Sequence, residues 1–126
     1  MSTVNCTSDG PDLTISIDSA YETSYYPFDT YVAFTVTNEG NADTGGAAIQ
    51  VCWWEDPWFG APSFGSSTYD DCTFIYDNIS PGESYSYYEY FYSLYFSGTG
   101  YLIVNNDEAV SESDTGNNVS NSYNWY

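Results

Sequence analysis

The sequence predicts an all-β sandwich of short strands, and three features of its 126 residues lead there. Aromatic residues make up 21% of the chain, with 15 tyrosines, 7 phenylalanines and 4 tryptophans, and leucine is scarce. Such a composition suits pleated, half-buried strands better than helices. Apolar and polar residues alternate with period two along several runs, and Pro, Gly and Asn clusters punctuate those runs. At 14.1 kDa the chain has the size of one domain.

The elements follow in order. After Gly10-Pro11, Leu13, Ile15 and Ile17 alternate with Thr14, Ser16 and Asp18, a half-buried first strand. Val32, Phe34 and Val36 alternate with Ala33, Thr35 and Thr37 before the turn Asn38-Glu39-Gly40-Asn41. Ile49, Val51 and Trp53 define the inner face of a third strand, with Gln50, Cys52 and Trp54 outward. A long loop follows, and then Thr73 to Asn78 form a fourth strand, ended by Ser80-Pro81-Gly82. Ser84 to Tyr95 form a fifth, in which tyrosines fall on both faces; the ambiguous phase at Tyr87-Tyr88 predicts a bulge or two half-strands there. Tyr101 to Asn105 and Val119 to Trp125 complete the set. Seven strands at this spacing suggest an immunoglobulin-like β-sandwich over residues 11–126, preceded by an extended polar lead, Met1–Gly10.

Charge narrows the functions open to such a chain. It has 18 aspartates and glutamates and no lysine, arginine or histidine. Without a cationic side chain to pair with phosphate, nucleic acid and anionic membranes are excluded as partners. Histidine-based triads, Schiff-base lysines and imidazole metal ligands are excluded as well. Only 14% of residues are charged, against roughly 25% in a typical domain, so this is a polar folded chain and not an acidic tail. Two settings fit it. In acid, a chain without bases gains almost no positive self-repulsion; in neutral saline water, the charge of −18 keeps it soluble and opposes self-association until salt or cations screen it. No window reaches the apolar length of a membrane span, and Met1–Gly10 has neither the positive nor the apolar part of a secretory signal.

Cysteine usage points to an oxidising compartment. Cys52 and Cys72 flank a loop rich in Pro, Gly and Ser, and bridging them would stabilise the fold by about 3 kcal/mol in the chain-entropy picture. The alternative is three buried thiols. Cys6 is left over, for an intersubunit bond or a free thiol. Sequons at Asn5, Asn78 and Asn118 offer sites for covalent glycans, the second disfavoured by Pro81. The acid pairs Glu55/Asp56 and Asp70/Asp71 supply the carboxylates a glycoside hydrolase needs, but neighbours on a strand face opposite sides. Trp54, Trp58 and Phe59 could stack on sugars, or cap the long loop, or fill a subunit contact, with Trp53 in the core. In the Asn105–Asn118 loop, asparagine side chains bonding nearby backbone account for its shape. Asp107, Glu108, Glu112 and Asp114 also place four hard ligands within eight residues, a calcium site in principle, without the spacing of an EF-hand.

The segments Pro11-Asp12-Leu13, Phe34 through Gly40, Ile79 through Ser84, and Val104 through Asn118 together resemble the CARDB domain, an adhesion-related, immunoglobulin-like sandwich of bacterial and archaeal surface proteins. The resemblance spans nearly the whole chain from Pro11. The family usually carries an acid directly after the valine and often another two residues before the paired asparagines; here those positions are Asn105 and Gly116, with Thr115 in place of a common Glu, which weakens a ligand-binding reading of the loop. The resemblance implies an extracellular structural or adhesive module and not a catalyst. Three functions are therefore carried forward. The first is a subunit of a self-assembling extracellular filament or surface layer, with tyrosine-rich contacts and the lead added as a strand to a neighbour. The second is a secreted glycan-binding module, and the third a carboxylate-only hydrolase.

Overall fold

The computed structural model describes residues 10–22, 29–55, 64–65, 71–92, 99–112 and 115–124. These residues form two antiparallel sheets and no helix. Strands β1 (Leu13–Glu22), β2 (Asp29–Asn38) and β5 (Ser84–Tyr92) make a three-stranded sheet in the order β1-β2-β5. Strands β3 (Ile49–Glu55), β4 (Asp71–Ile75), β6 (Thr99–Val104) and the two-residue β7 (Tyr123–Asn124) make the second, in the order β4-β3-β6-β7. Each sheet turns one face inward, as the period-two alternation requires. Leu13, Ile15 and Ile17 from β1, Val32, Phe34 and Val36 from β2, and Ile49, Val51 and Trp53 from β3 are all buried in one core, as read from the sequence. Leu102 and Val104 of β6 join them, and Trp53 stacks on Phe91 of β5 with ring centroids 6.0 Å apart.

Four strand expectations are corrected. The register between β2 and β5 runs from Asp29↔Tyr92 to Thr37↔Ser84 without a break, so the expected bulge at Tyr87-Tyr88 is absent. Tyrosines occupy both faces of β5 because burial fades along its inward side, from Phe91 at 0% exposure to Tyr85 at 36%. The irregularity lies instead in β1, between Ile17 and Ser19. Asp18 is the extra residue, and the phase change it causes puts Ala20 inside and Tyr21 outside. Strand β4 begins two residues earlier than read, because Asp71 and Cys72 pair with Trp53 and Cys52. Strand β6 begins at Thr99 and stops before Asn105, whose φ of 58° breaks the extended chain. The last strand is shorter than Val119 to Trp125: the Leu102 amide is met by the Ser120 hydroxyl (2.8 Å), so only an isolated Ile103↔Val119 bridge precedes β7.

Candidate functional site

The structure joins Cys52 to Cys72, which stand directly opposite each other on β3 and β4 with Cα atoms 4.0 Å apart. The bridge closes the long loop at its root, as expected. Disulfides persist in oxidising compartments. Intact-mass measurement with and without reductant should show one bond in the native protein, and Cys72→Ser should cost about 3 kcal/mol of stability. Thiols at both positions in the native protein would contradict the pairing. Cys6, Asn5, Asp56, Trp58, Phe59, Asp70 and Asp114 lie outside the described residues, as does the lead apart from Gly10.

The loop after β6 is organised around one carboxylate. Glu112 Oε1 accepts from the Leu13 amide of β1 (2.7 Å), and Oε2 accepts from Asn105 Nδ2 (2.6 Å) and from Asn118 Nδ2. The orientation of both amides follows from their other partners. Asn105 Nδ2 also donates to the Val110 carbonyl while its Oδ1 accepts from the Val110 amide, and Asn118 Nδ2 also donates to the Val104 carbonyl. Burial outweighs these donors and raises the Glu112 carboxyl above its ordinary value. Asp107 and Glu108 are exposed, and among the described residues no three acids are arranged to hold a metal. The described members of the expected calcium set therefore do not converge: Glu112 points to amide donors, and the loop holds its shape by asparagine bonding.

The structure also places the sequons, the paired acids and Trp54. Asn118 is fully buried with its Nδ2 spent on Val104 and Glu112, so it is no acceptor for a glycan in the folded chain. Asn78 is exposed, though its Oδ1 accepts from Gly45 N (2.9 Å) and its Nδ2 donates to Asp43 (3.3 Å). Glu55, one of the paired acids, is not poised for chemistry in solvent: it is 4% exposed and accepts from Thr30 Oγ1 and the Trp53 indole N–H. Asp71 caps two strands by accepting from the amides of Cys72 and Tyr92. Trp54 is half-buried.

What the sequence reading did not place is the outer face of the β1-β2-β5 sheet. Tyr31 sits at its centre, opposite Tyr21 on β1 and Tyr90 on β5. Its ring stacks on Tyr21 (4.9 Å between centroids) and on Tyr88 (5.7 Å) and meets the edge of Tyr90 (5.3 Å). Tyr92 continues the row, and Tyr21, Tyr88, Tyr90 and Tyr92 are all exposed. The signal was present: Tyr88, Tyr90 and Tyr92 are spaced i, i+2, i+4, which puts them on one face of a strand. Tyr21 joins them only through the bulge at Asp18. The other half of this face carries hydroxyls and acids: Thr35 donates to Asp18 (2.7 Å) and Thr14 to Glu39 (3.1 Å), and Thr37 bonds Ser84.

Among solved structures, the chain is similar to the CARDB domain of a Pyrococcus furiosus protein, solved in complex with di-metal ions: TM-score 0.57 and 16% identity, covering 93% of each chain. At that identity the likeness is one of fold, and it bears out the resemblance drawn from the sequence. It also matches β-glucosidase 3B from Thermotoga neapolitana (TM-score 0.47, 12% identity) over 91% of this chain and 16% of that one. A β-glucosidase from Kluyveromyces marxianus (TM-score 0.42, 11% identity) is matched over 92% of this chain and 14% of that one. No family model and no curated protein matches the sequence.

Proposed function

We propose that the chain is an extracellular structural subunit, an immunoglobulin-like sandwich that self-assembles into a filament or surface layer. The observation that supports this reading best is β5: an edge strand of its sheet, exposed along most of its length and carrying five tyrosines on a chain without a single base. An edge strand offers unpaired backbone groups to another chain, and tyrosine suits contacts that are apolar at one end and wet at the other. The sheet order, with β1, β2 and β5 on one side and β3, β4, β6 and β7 on the other, suits an immunoglobulin-like arrangement. The cross-strand disulfide and the CARDB-like fold support a place outside the cell. No helix among the described residues is long and apolar enough to cross a membrane. Exposed Asn78 is the described sequon that could carry a glycan.

Metal binding is not carried over from the Pyrococcus domain. The described residues do not fit it, because both Glu112 oxygens face N–H donors where a cation would need oxygen ligands.

Electron microscopy tests the proposal. Purified chain at about pH 4, where many carboxylates are protonated, or in high salt should form filaments or sheets, and deletion of Met1 to Asp9 should leave a folded chain that no longer extends them. If the full chain stays monomeric under both conditions, the filament reading fails and a secreted adhesion module takes its place.

A further inference from the structure

We propose that the outer face of the β1-β2-β5 sheet is a self-contact surface, on which a second copy of this chain seats its tyrosine hydroxyls against the carboxylates of the first. The proposal rests on the self-assembly reading above and names the surface that serves it.

Donor chemistry selects the occupant. Within a chain of 18 acids and no base, the protein donors that can meet carboxylates are hydroxyls and N–H groups, and several such contacts form within the fold. Tyr87 Oη donates to Asp77 (2.8 Å), Thr73 to Glu89 (3.0 Å) and Asn117 Nδ2 to Asp12 (2.9 Å). Hydrogen bonds to an ionised acceptor are stronger than neutral ones. Tyr21, Tyr88, Tyr90 and Tyr92 are exposed, and their hydroxyls have no hydrogen-bond partner among the described residues. On this face they are hydroxyl donors open to a partner, as exposed Tyr76 is elsewhere.

Ring geometry bears on the choice between a protein partner and a sugar. Sugar stacking uses the open face of an aromatic ring, whereas Tyr21 and Tyr88 each turn one ring face toward Tyr31, at interplanar angles of 25° and 26°.

The face is also complementary to itself. Its tyrosines cluster where Tyr21, Tyr31 and Tyr90 stand in register, while exposed Asp18 and Glu39 lie toward the Thr37 and Ser84 end with the threonines and serines. A two-fold axis lying in the contact plane and crossing the strands reverses their direction. It lays the donor half of one copy over the acceptor half of the other, twice. Three strands about 4.8 Å apart and nine or ten residues long present on the order of 500 Å². That is below the ~800 Å² per partner of a stable dimer, so the contact persists only where another contact, such as strand addition at the β5 edge, holds copies together.

Sedimentation velocity over a concentration series, with circular dichroism on the same samples, tests it. Tyr21→Ser, Tyr88→Ser and Tyr90→Ser together should leave the fold intact and raise the concentration needed for assembly about tenfold or more. Tyr76→Ser, at an exposed tyrosine beyond β4, should leave it unchanged. Asp18→Ala is the sharpest arm. If the acids only repel, removing one strengthens assembly; if Asp18 is an acceptor for the second copy, removing it weakens assembly. Should the triple variant prove less folded, the conservative Tyr88→Phe and Tyr90→Phe pair, which keeps the rings and deletes the hydroxyls, must still weaken assembly. A triple variant that assembles like the parent, or tighter assembly of Asp18→Ala, overturns this surface and leaves the self-assembly reading standing. A parent chain that never assembles overturns both.

Discussion

Glu112→Ala is expected to cost about 2–5 kcal/mol, because three N–H donors lose their acceptor at once and each buried donor left unpaired costs about 1–3 kcal/mol before solvent relieves part of it. The carboxylate ties the loop after β6 to the Leu13 amide at the start of β1 and to Asn105 and Asn118. Its loss therefore frees a seam between the two sheets. Glu112→Gln keeps one oxygen but turns an amide toward a donor, and should fall between the parent and the alanine variant. The pH dependence has a definite sign. Burial raises the folded-state value of Glu112, so the folded chain holds its proton more tightly than the unfolded chain does. The stability from this residue is fully present below the ordinary glutamate value near 4.3 and is lost as pH rises through the raised folded value. Relative to Glu112→Gln, the parent should gain stability as pH falls through that window. Chemical denaturation at several pH values measures it, and a parent that gains on Glu112→Gln with rising pH would contradict the assignment.

Gly100→Ala should be nearly as damaging, at about 1–3 kcal/mol or more, as expected for overpacking a full core. A Cβ at Gly100 would lie 1.9 Å from Trp53 Cη2 and 2.3 Å from Cζ2, with the ring already stacked on Phe91 and its N–H donated to Glu55. Trp53 has no exposed edge into which it can retreat. Gly45→Ala provides the contrast: nothing lies within 4 Å there, and only the left-handed φ of +85° is strained, a cost of about 1–2 kcal/mol. Thermal melts of the two variants compare them directly. Equal losses would mean that Trp53 can move.

The core was legible because alternation in β1, β2 and β3 reports burial directly: Leu13, Ile15, Val32, Phe34, Val51 and Trp53 needed no knowledge of partners. The Cys52–Cys72 pairing was legible from its place at the root of a loop. Where burial depends on the other sheet, local pattern fell short. Tyr85 and Phe91 share a face of β5 but differ in exposure because only one end of the strand lies over the core. The shift at Asp18 carries no local signal, since a polar residue in a half-exposed strand looks ordinary. Asn38 reads as a turn residue, yet it is fully buried and bonds Asp12, Gly40, Ala42 and Ile79. Glu112 reads as one acid among several in a loop; its partner Leu13 is 99 residues away, a contact that only the folded chain reveals.

These features describe a surface that is charged enough to stay dispersed in neutral water and that loses its repulsion, without gaining the opposite sign, as acid neutralises a net charge of −18. The most direct test is a single titration of the oxidised 126-residue chain from pH 7 to about pH 3, below the ordinary carboxylate values, with circular dichroism and light scattering followed together. A folded subunit whose assembly is opposed mainly by its own net charge should keep its β spectrum while scattering rises above the monomer value as that charge is neutralised. Cooperative loss of the spectrum above about pH 4, or a monomer signal throughout at concentrations where the parent is soluble, would contradict it.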